Sequence, residues 1–279
     1  MADISAKLTP AVRTSVTLIV NFAKRETKTL YKRSILGWLW SLIRPLSTVL
    51  IYSLVFGVIY RAAPPEILNC KTEPCKAESF ALYLFSGLVI WNLFTAVVTG
   101  SMQWLKGVNE LRKKVYFPTE TAILGGAVSV FLQSLLEILV LAAIMIILGN
   151  ISWTFVYLLW ALVLAAMFGL GIGFVVSIFN ARYRDIEYLM GILLNIAFFL
   201  VPIVFVPDMV PEEAYGLPVK ALMNLNPITT IVGISHDAVY FLNTPSIYDM
   251  ITSSAWAGAA FAVGLMYFRR RSMQISEEP

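Results

Sequence analysis

Charge is scarce in this chain, histidine almost absent and cysteine confined to one pair. Charged residues make up 14% of the 279, and 58% are apolar, whereas soluble domains carry about 25% charge. A soluble fold of this length could not hide so much apolar surface. One histidine (His236) and two cysteines (Cys70 and Cys75) are all the soft metal ligands present, so no metal site is expected. His236 is expected to be solvated and without chemistry. No G-x-x-x-x-G-K-[ST] phosphate loop occurs, which excludes ATP binding in the Walker manner. No G-x-S-x-G nucleophile elbow is found. A membrane glycosyl or acyl transferase remains the alternative enzyme reading, but the best carboxylate pair is Asp185 with Glu187, and Arg182 and Arg184 beside them make ion pairing the simpler role. An ion-coupled carrier would need several ionisable groups within its spans. Only Glu137 lies deep in one.

What the chain does have is long apolar runs. Six are expected to cross a bilayer, at Leu36–Tyr60, Phe80–Met102, Thr121–Leu148, Trp153–Phe179, Tyr188–Val206 and Ile251–Phe268; each approaches the roughly 20 residues a span requires. With the N-terminus inside, 17 of the 21 Lys and Arg fall on the inner side. The positive-inside rule therefore selects N-in, C-in. The basic balance is a topology signal rather than a nucleic-acid signal, and no nucleic-acid partner is expected. Anionic lipid of the inner leaflet attracts such flanks. The beginning of the chain lacks an apolar h-region with a small-residue cleavage site, so the first span is expected to act as its own insertion signal.

Between the spans several segments stand out. Thr14–Ser34 mixes apolar Val16, Ile19, Val20 and Ala23 with basic Lys24, Arg25 and Lys28, which suits a helix lying in the interface. An ordinary basic flank is the plainer reading. Pro45 disfavours helical geometry at Arg44, so the first span is expected to kink there or to start just after it, with Arg44 snorkelling toward headgroups. Gln103–Glu120 carries Glu110, Leu111, Arg112, Lys113, Lys114, Val115, Tyr116 and Phe117. Basic groups there could serve only to anchor topology, but exposed apolar neighbours point to a docking surface. Ser129, Gln133 and Glu137 recur every four residues, on one helical face. Glu137 reads either as a helix-gluing group or as a carboxylate lining or gating a conduit. Gly169, Gly171 and Gly173 permit close helix approach. Pro207–Met250 is apolar but broken at Asn226-Pro227, so it is expected to form re-entrant or interfacial helices shielded by protein. Cys70 and Cys75 lie in the first outer loop, where a disulfide or two free thiols are both open. No repeat divides the chain.

Three groups of residues carry a resemblance. They are Phe22-Ala23-Lys24-Arg25-Glu26 with Tyr31 to Ser41 and Pro45, then Arg112 to Pro118, then Ala181 to Asp185 with Asn226-Pro227. Over nearly its whole length the chain resembles the permease subunit of ABC-2-type polysaccharide exporters, which move O-antigen, teichoic acid and related glycans. An actinobacterial galactan exporter is one version of that likeness. The resemblance implies an all-α membrane protein of one domain, 1–279. Its parts would be a cytoplasmic amphipathic segment 1–35, spans one to five in 36–206, an outer re-entrant segment 207–250, the sixth span 251–268 and a cytoplasmic tail 269–279. The expected place is the bacterial cytoplasmic (inner) membrane, multi-pass. It also implies a second copy of the chain, two copies of a separate ATPase that bind ATP and Mg, a polyprenyl-linked glycan as cargo, and no cofactor in this chain. Lys24, Arg25 and Glu26, with Glu110 to Phe117, would contact the ATPase. The segment 207–250 would gate the outer mouth. Tyr60, Trp91, Phe94 and Phe198 are candidates to line the channel with Glu137, since sugar rings stack on aromatic faces; each aromatic could equally face lipid or another helix. An ABC-2 exporter of a non-glycan substrate is the nearer rival.

Overall fold

The computed structural model describes residues 10–32, 36–61, 64–67, 77–183, 185–213, 216 and 218–272. Cys70 and Cys75 lie outside them. Among the described residues the chain is helical, with no strand. The helices are α1 (Pro10–Tyr31), α2 (Trp40–Tyr52), α3 (Phe80–Gly107), α4 (Asn109–Arg112), α5 (Glu120–Ile147), α6 (Phe155–Arg182), α7 (Ile186–Leu200), α8 (Val219–Asn224), α9 (Pro227–Ser235) and α10 (Ile247–Ser272).

Among the described residues, five stretches are long and apolar enough to cross a membrane: Leu42–Ile59, α3, α5, α6 and α10. The first is α2 continued by a π-helical turn, Ser53–Ile59. It starts before Pro45 and carries that proline inside α2, so the expected beginning after Pro45 is not what the structure has; Gly37–Leu39 is a separate 3-10 turn. The fifth expected span is shorter than the sequence suggested. α7 has 15 residues, about 22 Å at 1.5 Å per residue, against a hydrocarbon core of about 30 Å. Pro202 stops it, because proline brings no amide donor and its ring clashes with the preceding turn. The chain then turns inward, and Val201 and Ile203 are fully buried.

α3 is the central helix, with α5, α6 and α7 packed around it and α10 against α6. Lipid is as apolar as leucine, so burying apolar side chains does little to hold such helices together; close backbone approach does. The α6 glycines supply it on two faces. A Cβ on Gly169 would lie 3.2 Å from the Phe94 carbonyl oxygen, and one on Gly173 would strike Ser101, so this face seats α3. Gly171 faces the other way, where its backbone meets Ala260 and Gly264 of α10.

α9 starts on an Asn226 cap, whose Oδ1 accepts from the Ile228 amide at 3.3 Å, with Pro227 in the first turn. At 9 residues it is far too short to span. It runs into a π-helical turn, His236–Tyr240, that side-chain hydrogen bonds fix to separate parts of the bundle. Ser235 donates to Ser86 O (2.8 Å), Thr154 to Ala238 O (2.6 Å) and Tyr240 to Pro65 O (2.8 Å). Here the structure corrects a sequence reading: His236 is buried at 3% exposure, not solvated. Its ring lies 4.0 Å from that of Tyr83 and against Gly87, where a Cβ would leave it no room.

Candidate functional site

The residues expected to meet a partner gather where α1, α4 and the start of α5 come together. α1 lies across the start of α5. A Cβ on Gly125 would sit 2.5 Å from Phe22 Cβ and 2.8 Å from the Ile19 carbonyl oxygen, so only glycine lets the two helices come this close. Thr27 and Ser129 share a hydrogen bond at 2.9 Å. Phe22 packs on Phe117, ring centroids 5.7 Å apart, over a small cluster of Val108 and Ala122 with Leu18. α4 and the turn after it therefore rest on α1 through Phe117.

That contact divides the expected docking residues. Phe117 points inward and is 9% exposed, whereas Tyr116 is 92% exposed, with Val115 and Leu111 also in the open. Lys113 pairs with Glu110 at 3.1 Å, an exposed pair worth a few tenths of a kcal/mol. Arg112 donates to Asn109 Oδ1 at 3.0 Å; partial burial lowers its pKa, but a guanidinium stays charged. Lys24 and Arg25 are exposed and Glu26 half-buried. A hollow of about 450 Å³ runs from Arg112 to Glu120 and on to Arg269 and Ser272. Arg269 and Glu120 in its lining form an ion pair at 3.0 Å, which ties the end of α10 to the start of α5.

A second hollow, about 500 Å³, opens inside the bundle between α2, α3, α5 and α7. Of the expected channel residues, Trp91 and Glu137 line it. Phe94 and Phe198 flank Trp91, with ring centroids at 5.6 and 5.8 Å. Phe94 is itself buried and stacked on Phe168, so it supports the wall rather than forming it. Tyr60 stands apart, exposed and stacked on Phe56 at the far end of the π-helical turn. Ser129, which shares a helical face with Gln133 and Glu137, is taken up in the α1 contact, while the other two reach the hollow. Arg44 also lines it. Sequence reading missed Thr48, Asn92, Thr95, Thr99, Ser134 and Asn195, which complete the polar lining. For Asn92, Thr95 and Thr99 the signal was present in α3 as a polar stripe at helical spacing within an otherwise apolar run.

At the opposite end, burial and the nearby Asp249 carboxylate raise the Asp237 pKa to about 6. Burial likewise pushes the Tyr240 phenol well above its usual range, helped by Glu78 and Tyr83. No group of three or more metal-ligating side chains occurs among the described residues.

This all-helical bundle, with an amphipathic α1 packed on α5, a hollow lined by basic residues at one end and a polar hollow between its helices, is that of a multi-pass membrane transport protein. Residues 17–239 match the ABC-2 type transporter family, and the chain belongs to it. It is 25% identical over 268 residues to the O-antigen export system permease protein RfbA of Klebsiella pneumoniae, covering 93% of this chain and 94% of that one. The Myxococcus xanthus protein of the same name is 25% identical over 229 residues, 80% of each chain. The polysialic acid transport protein KpsM of Escherichia coli is 24% identical over 225 residues, covering 77% and 78%.

Proposed function

We propose that this chain is the permease of an ATP-driven exporter that carries a lipid-linked cell-surface polysaccharide across the bacterial inner membrane. Similarity to export permeases along most of its length supports the transport class. The observation that carries the working model is the exposed patch of Leu111, Val115 and Tyr116 beside basic Lys113 and Lys114, propped by Phe117 on α1. Exposed apolar residues interleaved with charge are what a soluble partner binds. We assign that face to the cytoplasm and the partner to a separate ATPase. α1 and α4 would move as one body when the ATPase closes, because Phe22 and Phe117 join them.

The chain would work as a pair of copies. Support lies in α2 and α7, which present Leu50, Ile51, Val58, Ile192 and Phe199 outward, and in α7 having no buried residue at all. These faces suit lipid or a second copy flanking the hollow. α7 would cross as the fifth span together with the inward turn after Pro202, with α10 as the sixth.

Co-expression with the cognate ATPase tests the model. The complex should co-purify and hydrolyse ATP, while the permease alone should not. Tyr116→Ala should leave the thermal stability of the permease unchanged and weaken capture of the ATPase by about tenfold or more, as loss of an interfacial tyrosine anchor does. Phe117→Ala should instead destabilise the permease itself, by about 3 kcal/mol. Tyr116→Ala with unaltered assembly and turnover would refute the docking assignment.

A further inference from the structure

Between Ala81 and Met102, α3 is buried at every position except Asn92, Thr95, Ala96 and Thr99. These four fall at i, i+3, i+4 and i+7, a single helical face, and all four line the interior hollow. The central helix of the bundle thus keeps one open stripe, and three of its four residues are polar. Thr95 donates to Trp91 O at 3.0 Å and Thr99 to Thr95 O at 2.8 Å. Those hydroxyls have spent their protons on the backbone and offer lone pairs to the hollow. From α5, Gln133 Nε2 and Glu137 Oε2 are both buried and have no hydrogen-bond partner among the described residues. One is a donor and the other an acceptor, one helical turn apart. Leaving such groups unpaired in a low-dielectric interior is costly; both residues border the hollow, and a small turn of either side chain brings its buried atom to a ligand or water there.

Charge narrows the ligand. Arg44 is the one basic side chain among the described residues that line the hollow, so it is no cationic funnel. A polyanion would need uniform positive charge there. The volume, about 500 Å³, lies in the range of small-molecule sites. Trp91, in the wall, offers an apolar ring.

Resting on the export reading above, we infer that Gln133 and Glu137 are specificity residues that read the hydroxyl groups of an uncharged sugar unit as the glycan passes, with Asn92 and Asn195 contributing from α3 and α7. An amide and a carboxyl group each bond hydroxyls, so Glu137→Gln should be tolerated where Glu137→Leu is not.

The test uses the permease–ATPase complex in lipid nanodiscs. The probe is a set of short oligosaccharides cut from the surface polysaccharide of the producing cells, with oligosialic acid of similar length as the anionic counterpart. Binding is read as tryptophan fluorescence, the Trp91 signal being isolated by difference against Trp91→Phe. Wild type and Glu137→Gln should bind the neutral oligomers saturably. Gln133→Leu and Glu137→Leu should weaken binding about tenfold or more, the cost of orphaning a buried polar contact. Oligosialic acid should not bind. Size-exclusion profiles check assembly, and Asn92→Leu, at an exposed position, replaces either leucine variant that fails to assemble. Unchanged affinity in the assembled leucine variants, absence of wild-type binding, equal binding of oligosialic acid, or a surface polysaccharide that proves polyanionic would each overturn the proposal. A wild-type complex that exports no glycan in cells would instead strike the export reading; export at the wild-type rate by assembled leucine variants strikes only this one.

Discussion

Asp237 shows how much a single position can depend on its surroundings. It begins near a carboxylate's ordinary 3.8 and is raised to about 6 by burial and by Asp249. The folded state therefore holds the Asp237 proton more tightly than the unfolded chain does. The sign follows: this residue's contribution to stability is greatest below the unfolded pKa and is lost as pH rises through about 6. The thermal midpoint of wild type should fall, relative to Asp237→Asn, between about pH 4 and about pH 7, because the amide has no such titration. A constant difference between the two proteins across that window would show the carboxyl to be solvated. Nothing in the local sequence announced this, nor the burial of His236. A lone polar residue gives no periodic signal, and its exposure is fixed by elements distant in the chain: Tyr83 and Gly87 of α3 cover His236.

Among the elements, α6 and α10 depend most on what is missing from their side chains. Gly171 and Gly264 bring the two backbones into contact, and any Cβ on Gly264 would run into the Gly171 backbone. Gly264→Val should push the helices apart at a cost of about 3 kcal/mol. It should lower the thermal midpoint of the detergent-solubilised protein and broaden its size-exclusion peak. Wild-type stability in that variant would mean the two helices do not meet as described. The sequence made the closeness of the α6 glycines legible through their spacing, but not their division between two partners, since alternate residues on a helix point to different neighbours. The existence of an amphipathic α1 was also legible from its mixed apolar and basic faces, though the helix runs Pro10–Tyr31 where Thr14–Ser34 was expected. The length of α7 was not. Its apolar composition continues through Val206, but Pro202 and the inward burial of Val201 and Ile203 end the helix first.

For the whole molecule, the arrangement of charge makes a prediction about sidedness. Arg112, Lys113 and Lys114 sit at the same end as Arg269, and the positive-inside rule assigns that end to the cytoplasm. A small epitope inserted at Lys113–Lys114 should be unreachable from outside intact cells. One placed between Pro211 and Glu212 should be reachable. The opposite pattern would reverse the topology and remove the docking face from any cytoplasmic ATPase.

By itself the sequence determined that the chain lives in a bilayer, which end is basic, and that it carries no phosphate loop of its own, because hydropathy, charge counts and motif spacing are local properties. It also marked Trp91 and Glu137, through their residue types. Only the tertiary structure decided that Phe117 is a prop while its neighbour Tyr116 is a free surface. It likewise decided that the face shared by Ser129, Gln133 and Glu137 is split between two jobs, and that the polar stripe of α3 meets that pair across one hollow. Those outcomes depend on which helix lies beside which, and in a membrane that choice is made by close backbone packing and by pairing polar groups, quantities no single helix contains.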